Sequence, residues 1–209
     1  MHEKALPASS RELLDRMAAL KAAPWGGWTL AGGTGLALRL GHRRSEDFDF
    51  FRTDRMDLSV LHEVLGRLGA YETLQEAEHT LTVLCGGVKL SFFRVRDPFI
   101  YETAPYRFFR VAAVAEVALM KMIAISGRGA RKDFVDLYTI LMGGLTLGEM
   151  FDALPRKYGK GRVNVYHLLK SLTYFEDAEQ EPMPAMLEPF NWAECKAFFV
   201  REARALVLP

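Results

Sequence analysis

Cysteine is scarce in this chain of 209 residues. Two thiols, Cys85 and Cys195, cannot build a disulfide framework, and neither lies in a CxxC or Cys/His cluster, so both are expected to be reduced and structural. Charge of one sign is also lacking. A formal net charge of +1 advertises no global attraction to nucleic acid or membrane, and any basic surface must be local. The N-terminal MHEKALPASS has no apolar core of a signal peptide, and no apolar run approaches a membrane span. These absences point to a soluble cytoplasmic protein. Repeats and low-complexity tracts are missing as well. What remains, half hydrophobic and a quarter charged, is the composition of an ordinary globular chain with a sizeable core.

The stretch 28–51, WTLAGGTGLALRLGHRRSEDFDFF, organises the rest. It reads as a strand at 28–31, a Gly32–Gly33 turn, a helix over 34–40 with Gly41 as its cap, a basic loop, and a strand over 46–51. Before it, 9–22 predicts a helix with capping-box spacing between Ser9 and Glu12, closed by Pro24. After it, 58–68 predicts a helix ending at Gly69. The stretches 73–84 and 88–95 predict strands joined by a Gly86–Gly87 hairpin turn. Pro98 and Pro105 bracket a loop. Helices are expected over 114–126, 132–141, 147–154, 163–172 and 192–206, with a basic loop GRGARK at 127–132 and a Pro- and acid-rich linker before the last. The chain is therefore expected to be α+β: a mixed sheet with flanking helices over 1–110, then a mostly helical region over 111–209.

Residues two apart on a strand share a face, so Asp47 and Asp49 stand side by side while Phe48 and Phe50 face the core. Two adjacent carboxylates suit a hard divalent cation, Mg²⁺ or Mn²⁺, which takes oxygen ligands and shares them with phosphates. Glycines opening a helix let backbone N–H groups approach an anion. Each motif alone is equally the pattern of an amphipathic edge strand or an ordinary turn. A dinucleotide-binding reading has its first two glycines at Gly33 and Gly35 and fails at the third, where Leu38 stands.

Together these residues closely resemble the GG-T-x-L-x-L…GHR-x-S-x-D-x-D-x-F signature of the AbiEii/AbiGii nucleotidyltransferase-like toxins, which share the polymerase-β-like core. Gly32, Gly33, Thr34, Leu36, Gly41, His42, Arg43, Ser45, Asp47, Asp49 and Phe51 fall on that pattern. Downstream, Lys121, Arg128, Lys132, Asp133 and Asp136 in AVAEVALMKMIAISGRGARKDFVDLYTIL match the same family's second signature. The resemblance covers about residues 28–140. It implies a nucleotidyltransferase fold and transfer of a nucleoside monophosphate from an NTP to an acceptor hydroxyl, by a toxin with a cognate antitoxin and with tRNA or another RNA as acceptor. It makes Asp47 and Asp49 the metal-holding pair, and Gly32, Gly33, Thr34, Arg43, Ser45 and Arg128 the nucleotide-binding residues. Lys121, Asp133 and Asp136 are then catalytic, the two acids positioning Lys121 or the acceptor. On its own, a lysine in an apolar helix also fits a side chain snorkelling to water.

One departure stands out. Polymerase-β-like enzymes usually carry a third carboxylate on a neighbouring strand, and in VKLSFFRV the expected place holds Ser91, with Glu76, Glu78 or Asp97 as substitutes. A catalytically impaired nucleotide-binding or protein-interaction module on the same fold is the alternative this leaves open, and a phosphotransferase is a weaker third. His42 beside the acids reads equally as a phosphate contact or a solvated residue. The aromatic run 101–110 reads as a base-stacking segment or a partly buried strand.

Overall fold

The computed structural model describes residues 1–20 and 25–206, and these form two compact units, Met1–Ala113 and Val114–Pro209. In the first, a short 3-10 turn at Glu3–Ala5 precedes α1 (Ala8–Ala19), β1 (Thr29–Ala31), α2 (Gly32–Leu40), β2 (Phe48–Arg52) and α3 (Leu58–Leu68). Then come β3 (Tyr71–Ala77), β4 (Thr80–Cys85), β5 (Val88–Arg94), β6 (Ala104–Tyr106) and β7 (Phe109–Val111). One seven-stranded sheet takes them in the order β3-β4-β5-β2-β1-β7-β6. It is mixed: β1 lies antiparallel to β2 and parallel to β7, and β2 runs parallel to β5.

Period-2 alternation explains the core. Phe48 and Phe50 of β2, Leu81 and Val83 of β4, and Leu90 and Phe92 of β5 are buried, in one cluster with Leu13, Leu14 and Met17 of α1 and Leu61, Val64 and Leu65 of α3. Phe50 stacks on Phe92 with ring centroids 5.5 Å apart, and Phe109 meets it edge-on at 5.2 Å. Aromatic rings on a pleated face fill such a layer with few rotatable bonds.

Several expected boundaries move. The first helix ends at Ala19, and Ala22 and Pro24 lie outside the described residues. Its N-cap is Pro7, with no side-chain capping bond, so Ser9 and Glu12 make no capping box. Proline's fixed φ starts the helix before Ser9. The turn helix begins at Gly32 itself rather than at 34, with Gly41 in the left-handed conformation as its cap. The expected long strand from 73 is two strands, because Glu78 and His79 form a turn between β3 and β4. Gly86 and Gly87 do make the next hairpin, both with positive φ, as its two-residue turn requires. The aromatic run 101–110 forms the β6–β7 hairpin, with Phe109 buried and the Tyr106 hydroxyl donating to Glu3 Oε1 at 2.5 Å.

The second unit is helical. It comprises α4 (Val114–Arg128), α5 (Arg131–Met142), α6 (Leu147–Tyr158), α7 (Val165–Ser171), α8 (Glu176–Gln180) and α9 (Trp192–Ala205). The expected GRGARK loop shrinks to Gly129 and Ala130, because α4 runs through Gly127 and stops where Gly129 takes φ +59°. The acid-rich linker starts as helix α8, whose first turn holds Glu176 and Asp177, where acids favour the helix dipole. Around Phe134, the rings of Phe175, Trp192 and Phe199 make the aromatic centre. No single helix among the described residues is long and apolar enough to cross a membrane.

Candidate active site

In the first unit the chain enters α2 from β1, and β1 lies beside β2 with Ala31 opposite Asp49. This pairing sets the first turn of α2 against the acidic strand. Gly32 has φ +62°, and a Cβ there would stand 2.7 Å from Asp49 Oδ2, so only glycine lets the carboxylate lie this close to the helix start. A Cβ on Gly33 would collide with the Arg43 guanidinium. The N-cap is Ala31, which offers no side-chain acceptor, so the first-turn N–H groups carry the positive end of the helix without a side-chain cap.

The Thr34 hydroxyl donates to the main-chain carbonyl of Asp47 and hydrogen-bonds the Ser45 hydroxyl at 2.8 Å. Thr34 and Ser45 therefore fix the strand entry against the turn from within. Arg43 is only 5% exposed, its guanidinium lies behind Gly33, and Nη1 donates to the Arg44 carbonyl at 3.0 Å. His42 is buried too, which removes the solvated-loop reading.

Asp49 alternates with the buried Phe48 and Phe50 of β2, and Asp47 immediately precedes that strand, which begins at Phe48 rather than at the expected 46. Two carboxylates beside a glycine turn and a helix N-terminus fit a hard divalent cation that fills its remaining positions with water or phosphate oxygen. Among the described residues no three His, Cys, Asp or Glu side chains gather as a metal cage, so Glu76, Glu78 and Asp97 do not join the pair. Glu76 instead accepts from His62 at 2.9 Å. Ser91 sits directly opposite Asp49 in the β2–β5 register, buried, with the Thr82 hydroxyl 3.3 Å away.

A residue not foreseen from sequence closes the site's edge. Lys89 Nζ lies 2.7 Å from Asp47 Oδ2. Its place two residues before Ser91 in a period-2 strand was readable, but the parallel pairing of β2 with β5 that makes the contact was not.

In the second unit, α4 and α5 bring the downstream signature together. Lys121 does not snorkel: it is 5% exposed, with Nζ 2.7 Å from Asp133 Oδ1 and 2.6 Å from Asp136 Oδ2. Arg128 grips Asp133 from the other side, Nε to Oδ2 at 2.7 Å and Nη2 to Oδ1 at 3.0 Å, while its side chain stays 59% exposed. Burial alone would lower the Lys121 pKa, but Asp136 and Asp133 outweigh it and raise it. Burial would likewise raise the Asp133 carboxyl, and Lys121 and Arg128 hold it below the usual carboxylate value. Of the expected basic patch, the Arg131 guanidinium is spent on Glu179 and the Ala178 carbonyl, with its main-chain N–H donating to Glu181, whereas Lys132 is exposed. Sequence also gave no sign of a second buried pair, Lys157 Nζ with Glu116 Oε1 at 2.6 Å.

Comparison with known proteins gives the family and the fold. Residues 13–205 match the profile described as nucleotidyl transferase AbiEii toxin, type IV toxin–antitoxin system. An uncharacterized protein of Aquifex aeolicus is 33% identical over 204 residues, 95% of this chain and 96% of that one. In fold, the chain is similar to MenT4, a nucleotidyltransferase toxin of Mycobacterium tuberculosis (TM-score 0.55, 18% identity, 98% of this chain and 86% of that one). It is similar also to JHP933 of Helicobacter pylori (TM-score 0.53, 17% identity, 98% and 89%). The chain belongs to the AbiEii family of nucleotidyltransferase toxins.

Proposed function

We propose that the chain transfers a nucleoside monophosphate from an NTP to an acceptor hydroxyl, with RNA, tRNA first, as the acceptor class and with a cognate antitoxin as its protein partner. The observation that carries the reading is the Asp49 carboxylate held against the first turn of α2 by a glycine at positive φ, which sets a cation-binding face beside an anion-binding helix end. Asp47 and Asp49 would hold Mg²⁺ or Mn²⁺, which supplies charge neutralisation on the triphosphate.

The N–H groups of Gly32, Gly33 and Thr34 bind phosphate oxygen. Ser45 and Arg43 keep that turn in place from behind. In the second unit Asp133 and Asp136 orient Lys121, and Arg128, held on Asp133, adds a second, more exposed positive charge to that cluster. In the reaction the acceptor oxygen bonds to the α-phosphorus, the α–β bridging P–O bond breaks, pyrophosphate leaves and the hydroxyl proton is lost.

Parallel incubations with α-labelled and γ-labelled NTPs, Mg²⁺ and bulk tRNA test this. Transfer of α-label only, reduced at least about a hundredfold by Asp49→Ala, is the expected result. Movement of γ-label would make the chain a phosphotransferase. Binding of nucleotide without transfer of either label would make it a binding module, a reading that the lack of a three-acid cluster among the described residues favours.

A further inference from the structure

Lys89 stands where the acidic face of β2 meets β5, and nothing in the reading above uses it. Its ammonium lies 2.7 Å from Asp47 Oδ2, with both side chains about two-fifths exposed, at 39% and 42%. Two residues along the same strand, the position opposite Asp49 is Ser91, buried and hydrogen-bonded to Thr82. The second strand of the site therefore brings a positive charge and a hydroxyl, and no carboxylate.

We propose that Lys89 is a positioning residue whose ammonium takes the place of a second divalent cation, so that Asp47 and Asp49 hold one metal ion rather than two. The inference rests on the metal-holding role given to those two acids above. Charge balance supports it. Three carboxylates with two divalent ions carry a single net positive charge, and two carboxylates, one ammonium and one divalent ion carry the same. A nucleotide thus meets the same formal field with a fixed cation in place of an exchangeable one. The lysine also orients Asp47, since an ammonium this close holds the carboxylate toward β5. A third acid at position 91 would compete for that ammonium, and serine does not.

Binding of Mn²⁺ alone to the full chain, followed by the free-ion EPR signal at low ionic strength, tests the proposal without reference to activity. Lys89→Met is expected to tighten Mn²⁺ binding by about two- to tenfold, because an exposed competing charge is removed. Lys89→Arg should stay at the wild-type affinity. In an Asp47→Asn background binding should be weak, and Lys89→Met should no longer change it. A misfolded variant loses Mn²⁺ and cannot imitate a gain. Binding to Lys89→Met equal to or weaker than wild type, with Asp47→Asn still weakening it, overturns the role of Lys89 and leaves the metal pair standing. Binding untouched by Asp47→Asn and Asp49→Asn in every background overturns the metal reading of the pair, and the Lys89 proposal with it.

Discussion

A lysine ammonium below the surface, shared by two carboxylates, is costly to unmake from either side. Removing Lys121 leaves Asp133 with Arg128 alone, and takes from Asp136 the ammonium 2.6 Å away. Lys121→Met is therefore expected to cost about 3–5 kcal/mol in urea unfolding. The pH dependence follows from the two shifts. Asp133 is held below its ordinary 3.8, so its contribution is complete above that value and is lost as pH falls through the lower folded pKa. Lys121 is raised above its ordinary 10.5, so its contribution is complete below that value and is lost as pH rises through the higher folded pKa. The gap between wild type and variant should be widest from about pH 4 to about pH 10 and narrow outside it. At this scale Lys121, Asp133 and Asp136 stood out only through the resemblance to the family's downstream signature, because a lysine in an apolar helix and acids at a helix start fit a snorkelling side chain and a favoured helix end equally well. The sequence was silent on Lys89 with Asp47 and on Glu116 with Lys157, whose partners are brought together only by strand pairing and helix packing.

Among the elements, α2 bears the tightest constraint. Gly32→Ala forces a side chain into a left-handed backbone and against Asp49, and is expected to cost about 1–3 kcal/mol in thermal unfolding and to weaken Mn²⁺ binding. Gly66→Ala makes the contrast. Gly66 is exposed within α3, with nothing inside 4 Å of a new Cβ, so the change should stabilise by about 0.5–1 kcal/mol. The same chemistry shows why some elements were legible and others not. Leu58–Leu68 was readable to the residue because its apolar period and Gly69 agree. The β3–β4 turn was hidden because Glu78 and His79 carry no glycine or proline to announce it. The length of α4 was hidden for the opposite reason: Gly127 announces a break that the helix does not take.

Over the whole molecule, each unit holds one thiol in its interior, Cys85 in the first and Cys195 in the second. Burial pushes the Cys195 thiol up to about 12 and raises that of Cys85 as well. Thiolate is the reactive form, so both should resist a disulfide reagent at pH 8 in the folded chain, with less than about a tenth of each modified while unfolded protein reacts fully. Single Cys→Ser variants titrated with urea then report the opening of each unit separately. Rapid modification of either thiol in the native chain would contradict the burial.

Sequence alone determined the local chemistry: alternation put Asp47 and Asp49 on one face, glycines marked the start of α2, and an apolar period marked most helices. These are properties of neighbours in the chain, set by the periods of strand and helix. Tertiary structure alone decided which strand lies beside the acids. The parallel pairing of β2 with β5 crosses α3, β3 and β4, so the placement of Ser91 opposite Asp49 and of Lys89 on Asp47 is fixed by sheet order. Register between distant strands depends on burying one whole face at once, and no short stretch of sequence carries that information.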